Sequence, residues 1–326
     1  MRTLHEVTAT AMLIVAGVVV AAAPVLSQTY PARPVRIVVP NAPGSSGDIV
    51  ARLIASPLSA RLGQQVVVDN RAGAGTMIGG EIVAHSAPDG YTLLMGISTL
   101  AINPATYKKV PYDALRDFAP ITHAVSLPGI LLAHPSLPAR SVKELIALAK
   151  ARPGDIAFAS GGQGSYSHMS SELFSSMAGI RMLHVPYRGS GPGYIDLLAG
   201  NVSVMAANIL SATPHVRSGR LRALGITSKK RAASAPDVPT VAEGGLPGYE
   251  SVQWLGLLAP AGTPRDIIAR LHKETVSVIG SPEMKERLAR DGTDPVASSP
   301  EEFASYIRSE TLKWAKMAKA AGIRPE

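Results

Sequence analysis

Val35-Arg-Ile-Val-Val39 runs through Pro40-Asn-Ala-Pro-Gly-Ser-Ser-Gly-Asp48 into a segment where Ile49, Leu53, Ile54, Leu58 and Leu62 recur at helical spacing. The first piece is short and β-branched, the signature of a buried strand. The second is broken by Pro and Gly, and the third carries one apolar helical face with Asp48 among its first residues. The alternation then repeats. Gln65 to Val68 reads as a strand, Met77 to His85 as a helix and Tyr91 to Met95 as a third strand. Strand, helix, strand, helix, strand predicts an α/β unit with a parallel sheet covered by helices.

Two later stretches read as crossings between such units. In Phe118 to His134, a strand at Ile130 to Ala133 sits among prolines, and in Ser251 to Pro260 the strand-like piece is Trp254 to Leu258. Between them lies a second alternating unit. It has helices at Val142 to Ala151, Ser167 to Ala178 and Gly193 to Leu198, and strands at Ile156 to Ala159, Met182 to Val185 and Val202 to Met205. Amphipathic helices follow at Pro264 to Val278 and Pro300 to Ala321. The expectation is one lobe from 28–122 and 253–326, interrupted by a second lobe at 123–252. Two facing lobes joined by two strands make a hinged cleft, and open α/β sheets bind ligands beyond the carboxyl ends of their strands.

Composition narrows the function classes. The 326 residues suit about two domains, and 46 % hydrophobic against 17 % charged residues argues against disorder. The start of the chain, with Arg2, the apolar run Ala9 to Ala23 and small residues up to Ser27, reads as a secretory signal at 1–27. The run is shorter than the ~20 residues a membrane span needs. Cleavage near Ser27 and a periplasmic location are the expectation. Cysteine is absent, which removes disulfides and thiolate chemistry. The net charge of +8 is dispersed, with Lys229-Lys-Arg231 as its only short run. A nucleic-acid binder would cluster such charge, whereas a diffuse positive surface suits small anions.

The chemistry is concentrated in loops at strand ends. In the 40–48 loop, small residues let backbone N–H groups approach a ligand, Ser45 and Ser46 add hydroxyls, and the following helix adds positive partial charge. An ordinary helix cap made by Ser46 or Asp48 explains the same residues equally well. Asn70-Arg-Ala-Gly-Ala-Gly-Thr-Met-Ile-Gly79 and Gly96-Ile-Ser-Thr99 fall at the same sheet edge. The second unit repeats the device with Ser160-Gly-Gly-Gln-Gly-Ser165, the His168 that follows, Pro186 to Pro192 with Arg188 and Ser190, and Asn208. Together these loops read as an anion clamp needing no paired lysine.

Catalytic patterns are sparse. There is no G-x-S-x-G elbow. Ser165 and His168 near one helix start suggest capping and packing more than a hydrolase pair. No metal-ligand spacing stands out and the eight histidines are scattered, so neither a metal nor a cofactor is expected. His134 and His184 read as satisfied edge or core histidines, and Trp254 as hinge packing.

The motifs resemble the receptors of tripartite tricarboxylate transporters, also called the Bug family of periplasmic solute-binding proteins. The matching stretches are Tyr30 to Pro40, Gly44 to Arg52, Asn70 to Gly75, Ala87 to Leu93, Ser160 to His168, His184 to Pro192 and Asp237 to Glu243. The resemblance implies a two-lobed, Venus-flytrap, type II-like fold with two connecting hinge strands. It implies a carboxylate held by Ala42 to Ser46, with the Ser45 and Ser46 hydroxyls, together with Gly75, Thr76 and Met77; Asn41 and Asp48, flanking the first loop, are further candidates. Ser98, Ser160, Gln163, Ser165, His168, Arg188 and Asn208 are then the distal or cleft candidates. The expected function is capture of a small organic mono- or dicarboxylate by a monomer that delivers it to membrane permease subunits. A periplasmic sensor or a serine hydrolase are the alternatives. Two departures stand out. Asn41 replaces the aromatic usual in the family, and Ser45 and Thr76 stand where many members have glycine.

Overall fold

The computed structural model describes residues 30–290 and 292–325; the expected signal at 1–27 lies outside them. The opening stretch folds as β1 (Val35–Val39) and α1 (Ser46–Leu62), followed by β2 (Val66–Asn70), α2 (Met77–Ala84), β3 (Thr92–Ile97) and α3 (Thr99–Thr106). β1 pairs in parallel with β2 on one side and β3 on the other. It is buried on both faces, as strands of parallel sheets are. Val35, Ile37 and Val39 enter one core with Ile54 and Leu58, and Val38 enters the opposite core. Ile49 departs from the expected apolar face of α1: it is 39 % exposed, because it lies in the first turn, beside the cleft described below.

The first crossing is one long strand, β4 (Phe118–Ala133). It is far longer than the short strand the prolines suggest. Its register shifts between Pro120 and Thr122 and between His123 and Val125, and such bulges are where a strand tolerates proline's missing donor. Phe118 to Pro128 pair with β9 (Val252–Pro260), which joins the first sheet against β3. From Gly129 onward β4 changes partners to β7 (Val204–Asn208) on one side and β8 (Arg222–Ile226) on the other. The first sheet is therefore β2-β1-β3-β9-β4, and the second continues β4-β7-β5-β6 through β5 (Ala157–Ser160) and β6 (Leu183–Pro186).

Helices α4 (Val142–Ala151), α5 (Tyr166–Ala178), α6 (Ser190–Ala199) and α7 (Ile209–Arg217) cover the second sheet, with one core on each face. The chain ends with α8 (Arg265–Ile279), α9 (Pro282–Arg290), the short β10 (Asp294–Pro295) on β4 and α10 (Pro300–Ala320). α10 starts with a full capping box between Ser299 and Glu302. It buries Phe303, Ile307 and Trp314 beside Trp254 of β9. Trp254 is fully buried against Phe303, Tyr306 and His123, which is hinge packing. Among the described residues no helix is long and apolar enough to cross a membrane.

Candidate functional site

A cleft of about 880 Å³ opens between the two lobes at the carboxyl ends of β1, β2, β3, β5, β6 and β7. Six helices begin at it. Ser45 and Ser46 bring the start of α1, Gly75 and Thr76 that of α2, and Ser98 and Thr99 that of α3. From the other lobe come Ser165 before α5, Gly189 and Ser190 at α6, and Asn208 before α7. Among the described residues no Asp, Glu, Lys, Arg or His lines the cleft. Its polarity comes from helix ends, hydroxyls and amides, with Ile49, Tyr107, Tyr194, Met205 and Leu210 as apolar walls.

The loop after β1 shows how local sequence makes this. Ser45 is the N-cap of α1, its Oγ accepting the Asp48 N–H at 3.3 Å, and its carbonyl accepts from Ile49. Asp48 reaches back and accepts the Gly44 N–H at 2.8 Å. The capping reading is thus realised through Ser45 and Asp48, and the N–H groups of Ser46 and Gly47 keep no intrahelical acceptor. Burial pushes the Asp48 carboxyl up, but hydrogen bonds from Arg52, Gly44 and Asn70 outweigh it and hold it below the usual carboxylate range. Asp48 serves the loop from beneath and does not line the cleft.

The loop after β2 is strained. Gly73, Ala74, Gly75 and Thr76 all have positive φ, at 135°, 45°, 61° and 77°. For a β-branched residue such as Thr76 this is an outlier. The surroundings enforce it: Asn103 Nδ2 donates to the Gly75 carbonyl at 3.0 Å, and Thr76 Oγ1 lies 2.6 Å from Thr99 Oγ1. Strain held this way is a recurring property of binding loops.

In the second lobe the 160–165 loop is closed on itself. Gly161 N–H donates to Ser167 Oγ (2.9 Å), Gly162 to Ser160 Oγ (3.1 Å), Gly164 to His168 Nδ1 (3.2 Å) and Ser165 to the Gly162 carbonyl (3.1 Å). His168 is buried and stacked on His184, with ring centroids 4.1 Å apart. His184 Nε2 lies 2.6 Å from Ser160 Oγ. Burial, and secondarily His184, bring the His168 pKa down to about 3, and burial brings His184 down to about 4. Both are neutral at pH 7, which lets His168 Nδ1 accept.

Residues 50–323 match the family described as "Tripartite tricarboxylate transporter family receptor". The chain belongs to this receptor family. Protein BugT of Bordetella pertussis is 40 % identical over 321 residues, covering 97 % of this chain and 98 % of BugT. Rpa4515 of R. palustris, solved with adipate, superposes with TM-score 0.84 at 36 % identity, covering 91 % of this chain and all of that one. MatC of Rhodopseudomonas palustris, solved with malate, gives TM-score 0.78 at 32 % identity, covering 89 % of this chain and 100 % of that one. The two-lobed binding-protein fold is therefore that of periplasmic solute receptors.

Within this receptor the residues singled out by sequence separate into two groups. Asn41, Ala42, Ser45, Ser46, Gly75, Thr76, Ser98, Gln163, Ser165 and Asn208 line the cleft. Asp48, Met77, Ser160 and His168 lie behind it as supports, and Arg188 is exposed outside it. Thr99, read at the end of the third strand, lines the cleft as well, whereas sequence reasoning did not pick out Asn103, Tyr107, Tyr194, Ser211 or Gln253, which also line it. Tyr107, just past α3, reaches the Gln163 carbonyl at 3.5 Å across the cleft. Gln253 hides in an apolar strand, where only the odd polar residue hints at a site. The hydrolase alternative finds no geometry: Ser165 Oγ caps α5 and contacts Ser167, while His168 Nδ1 holds Gly164. Among the described residues no cluster of three or more His, Cys, Asp or Glu could hold a metal.

Proposed function

We propose that this receptor captures a small organic mono- or dicarboxylate in its interlobe cleft and delivers it to the permease subunits of a tripartite transporter. The observation that carries the reading is the convergence of six helix N-termini on a cleft that no charged side chain lines among the described residues. Each helix end favours an anion by about 0.3–1 kcal/mol, and backbone donors are directed at the same space. Adipate in Rpa4515 and malate in MatC support a carboxylate as ligand. The division into 28–122 with 253–326 and 123–252 is supported by β4 changing partners after Pro128 and by β9 beginning at Val252. In this reading the chain works in the periplasm as a monomer after losing residues 1–27, and binds without turning its ligand over. Closure then shifts a lobe equilibrium by differential affinity.

Calorimetry of the mature protein against a panel of aliphatic mono- and dicarboxylates tests the ligand class. One or more should give saturable heat and a thermal shift; silence across the panel would sink the reading. Uptake of the labelled ligand, lost on gene deletion and restored by the intact chain, tests delivery.

A further inference from the structure

Gln253 belongs to neither set of strand-end loops. It is the second residue of β9, on the crossing itself, and its half-buried side chain lines the cleft floor. The orientation of its amide follows from a chain of hydrogen bonds that starts at the backbone. The Leu210 N–H, in the first turn of α7, must find an acceptor, and Asn208 Oδ1 supplies it at 2.9 Å. Asn208 therefore turns its Nδ2 toward Gln253, whose Oε1 accepts at 3.0 Å. Ser46 Oγ, at the start of α1 in the other lobe, donates to the same Oε1 at 3.4 Å. Because Oε1 is turned toward donors from both lobes, Nε2 is left as a donor with no acceptor among the described residues.

We propose that Gln253 is a specificity-determining residue: its Nε2 donates to the ligand carboxylate at the cleft floor while its Oε1 ties α1 to α7. The proposal rests on the carboxylate reading above. It makes the hinge strand part of the recognition surface. The floor then offers a donor only, so it accepts a carboxylate or carbonyl oxygen and rejects an ammonium or other pure donor at that end. It also couples recognition to lobe approach, since Ser46 and Asn208 meet on one atom of the group that faces the ligand.

Gln253→Glu separates the two roles. The carboxylate keeps the side-chain length and both acceptor contacts, but has no N–H and repels an anion. Calorimetry with the panel, which includes adipate and malate, should show affinity falling by about tenfold or more for the ligand the wild type binds, the scale of one hydrogen bond to a charged group. Thermal stability should stay within a few degrees. The deficit should narrow as pH is lowered toward the usual glutamate range of about 4.3, because a protonated side chain donates again. Gln253→Met, which removes the tie as well, should bind no better than the Glu variant. Wild-type binding with an unchanged Gln253→Glu affinity overturns this proposal alone and leaves Gln253 a structural tie. Failure of the wild type to bind any carboxylate overturns the reading beneath it and this proposal together.

Discussion

The loops of the two lobes are built from the same residue types and cap their helices alike, but they hold the rest of their backbone differently. Ser45 and Ser165 accept from the N–H groups of Asp48 and His168, whose side chains accept in turn from Gly44 and Gly164. In the first lobe, Ser45 and Asp48 satisfy part of the α1 start and leave Ser46 and Gly47 N–H groups over. Residues 73–76 are held at positive φ, two of them not glycine. In the second lobe, the N–H groups of Gly161, Gly162, Gly164 and Ser165 are taken by side chains of Ser160 in the loop and Ser167 and His168 in the first turn of α5, and by the Gly162 carbonyl. Besides the first N–H groups of α5, which keep no intrahelical acceptor, the 160–165 loop offers a ligand shape and side chains, Gln163 among them. The uncapped start of α6, after Gly189, adds backbone donors beside it. Backbone held in a strained conformation suits a constant group such as a carboxylate. A self-satisfied loop presenting side chains suits the part of a ligand that varies. A clamp read as symmetric from composition is thus symmetric in its helix caps and asymmetric in its backbone strain.

One pair of substitutions can break this comparison, and they carry the largest expected effects. Gly75 and Gly164 both sit in the left-handed region, at φ 61° and 68°, so alanine costs each about 1–2 kcal/mol. Their surroundings differ. A Cβ on Gly75 would lie 2.6 Å from Tyr107 Oη inside the same lobe, whereas one on Gly164 would lie 2.7 Å from Thr106 Oγ1 across the cleft. Gly75→Ala should lower both melting temperature and ligand affinity, the latter by tenfold or more. Gly164→Ala should cost a few degrees and mainly affinity, because it obstructs the approach of the lobes. Adding Thr106→Ala should restore binding to Gly164→Ala and leave Gly75→Ala unimproved. If Thr106→Ala rescues neither, the contact between lobes plays no part in binding.

The loops that carry this asymmetry were legible in the sequence because turn chemistry is local: Gly, Pro and Ser clusters between apolar runs mark strand-to-helix junctions wherever they occur. So were the strands before them and most helices. β4 was legible only at its end, since the register shift beside Pro120 depends on the partner strand β9 and Pro128 falls where β4 leaves it for β7 and β8. α3 went unread because Thr99 to Thr106 is short, carries Pro104 and buries residues on most sides. Within the site, side-chain direction was the missing information. Nothing local distinguishes Ser46, which reaches Gln253, from Ser160, which turns inward to His184. Arg188 looked like an anion partner by charge, yet the fold leaves it exposed outside the cleft. Gln253 acquires its meaning only when two lobes from distant sequence meet on it.

Acidification should separate the lobes by the groups beneath their loops. His168 and His184 in the second lobe and His123 at the hinge are neutral by burial, with pKa values brought down to about 3, 4 and 4. The unfolded chain binds their protons from about pH 6.5. Below that pH the unfolded state gains protons that the fold refuses, so stability falls between about 6.5 and 4, by on the order of 1 kcal/mol per pH unit for each histidine. Asp48 acts in the same direction but in a lower window: its folded carboxyl is held low, so its contribution persists until pH drops below about 4. Hydrogen exchange at about pH 5 should therefore show α5 and β6 opening before α1. His168→Gln should flatten the pH dependence of denaturant-measured stability by about one proton. Equal loosening of both lobes would contradict the assignment.

The smallest effect is expected at Thr76, and it sharpens the claim that strain in the first lobe is functional. Thr76→Gly removes a β-branched residue from φ 77°, a relief of about 1 kcal/mol. It also removes the 2.6 Å contact between Thr76 Oγ1 and Thr99 Oγ1, costing about 0.5–1.5 kcal/mol, and adds backbone freedom to the unfolded chain. These terms nearly cancel, so the melting temperature should move by no more than a few degrees. Affinity should behave differently. If the hydroxyl pair holds the start of α2 in the geometry that meets the ligand, the glycine variant must order that loop on binding. Affinity then falls severalfold, with a less favourable binding entropy in calorimetry. Thr76→Ser keeps the hydroxyl and drops the branch, and should bind at least as well as the wild type. Unchanged affinity in the glycine variant would mean that the left-handed run at 73–76 is set by Asn103 and the glycines alone, and that the threonine is incidental to it.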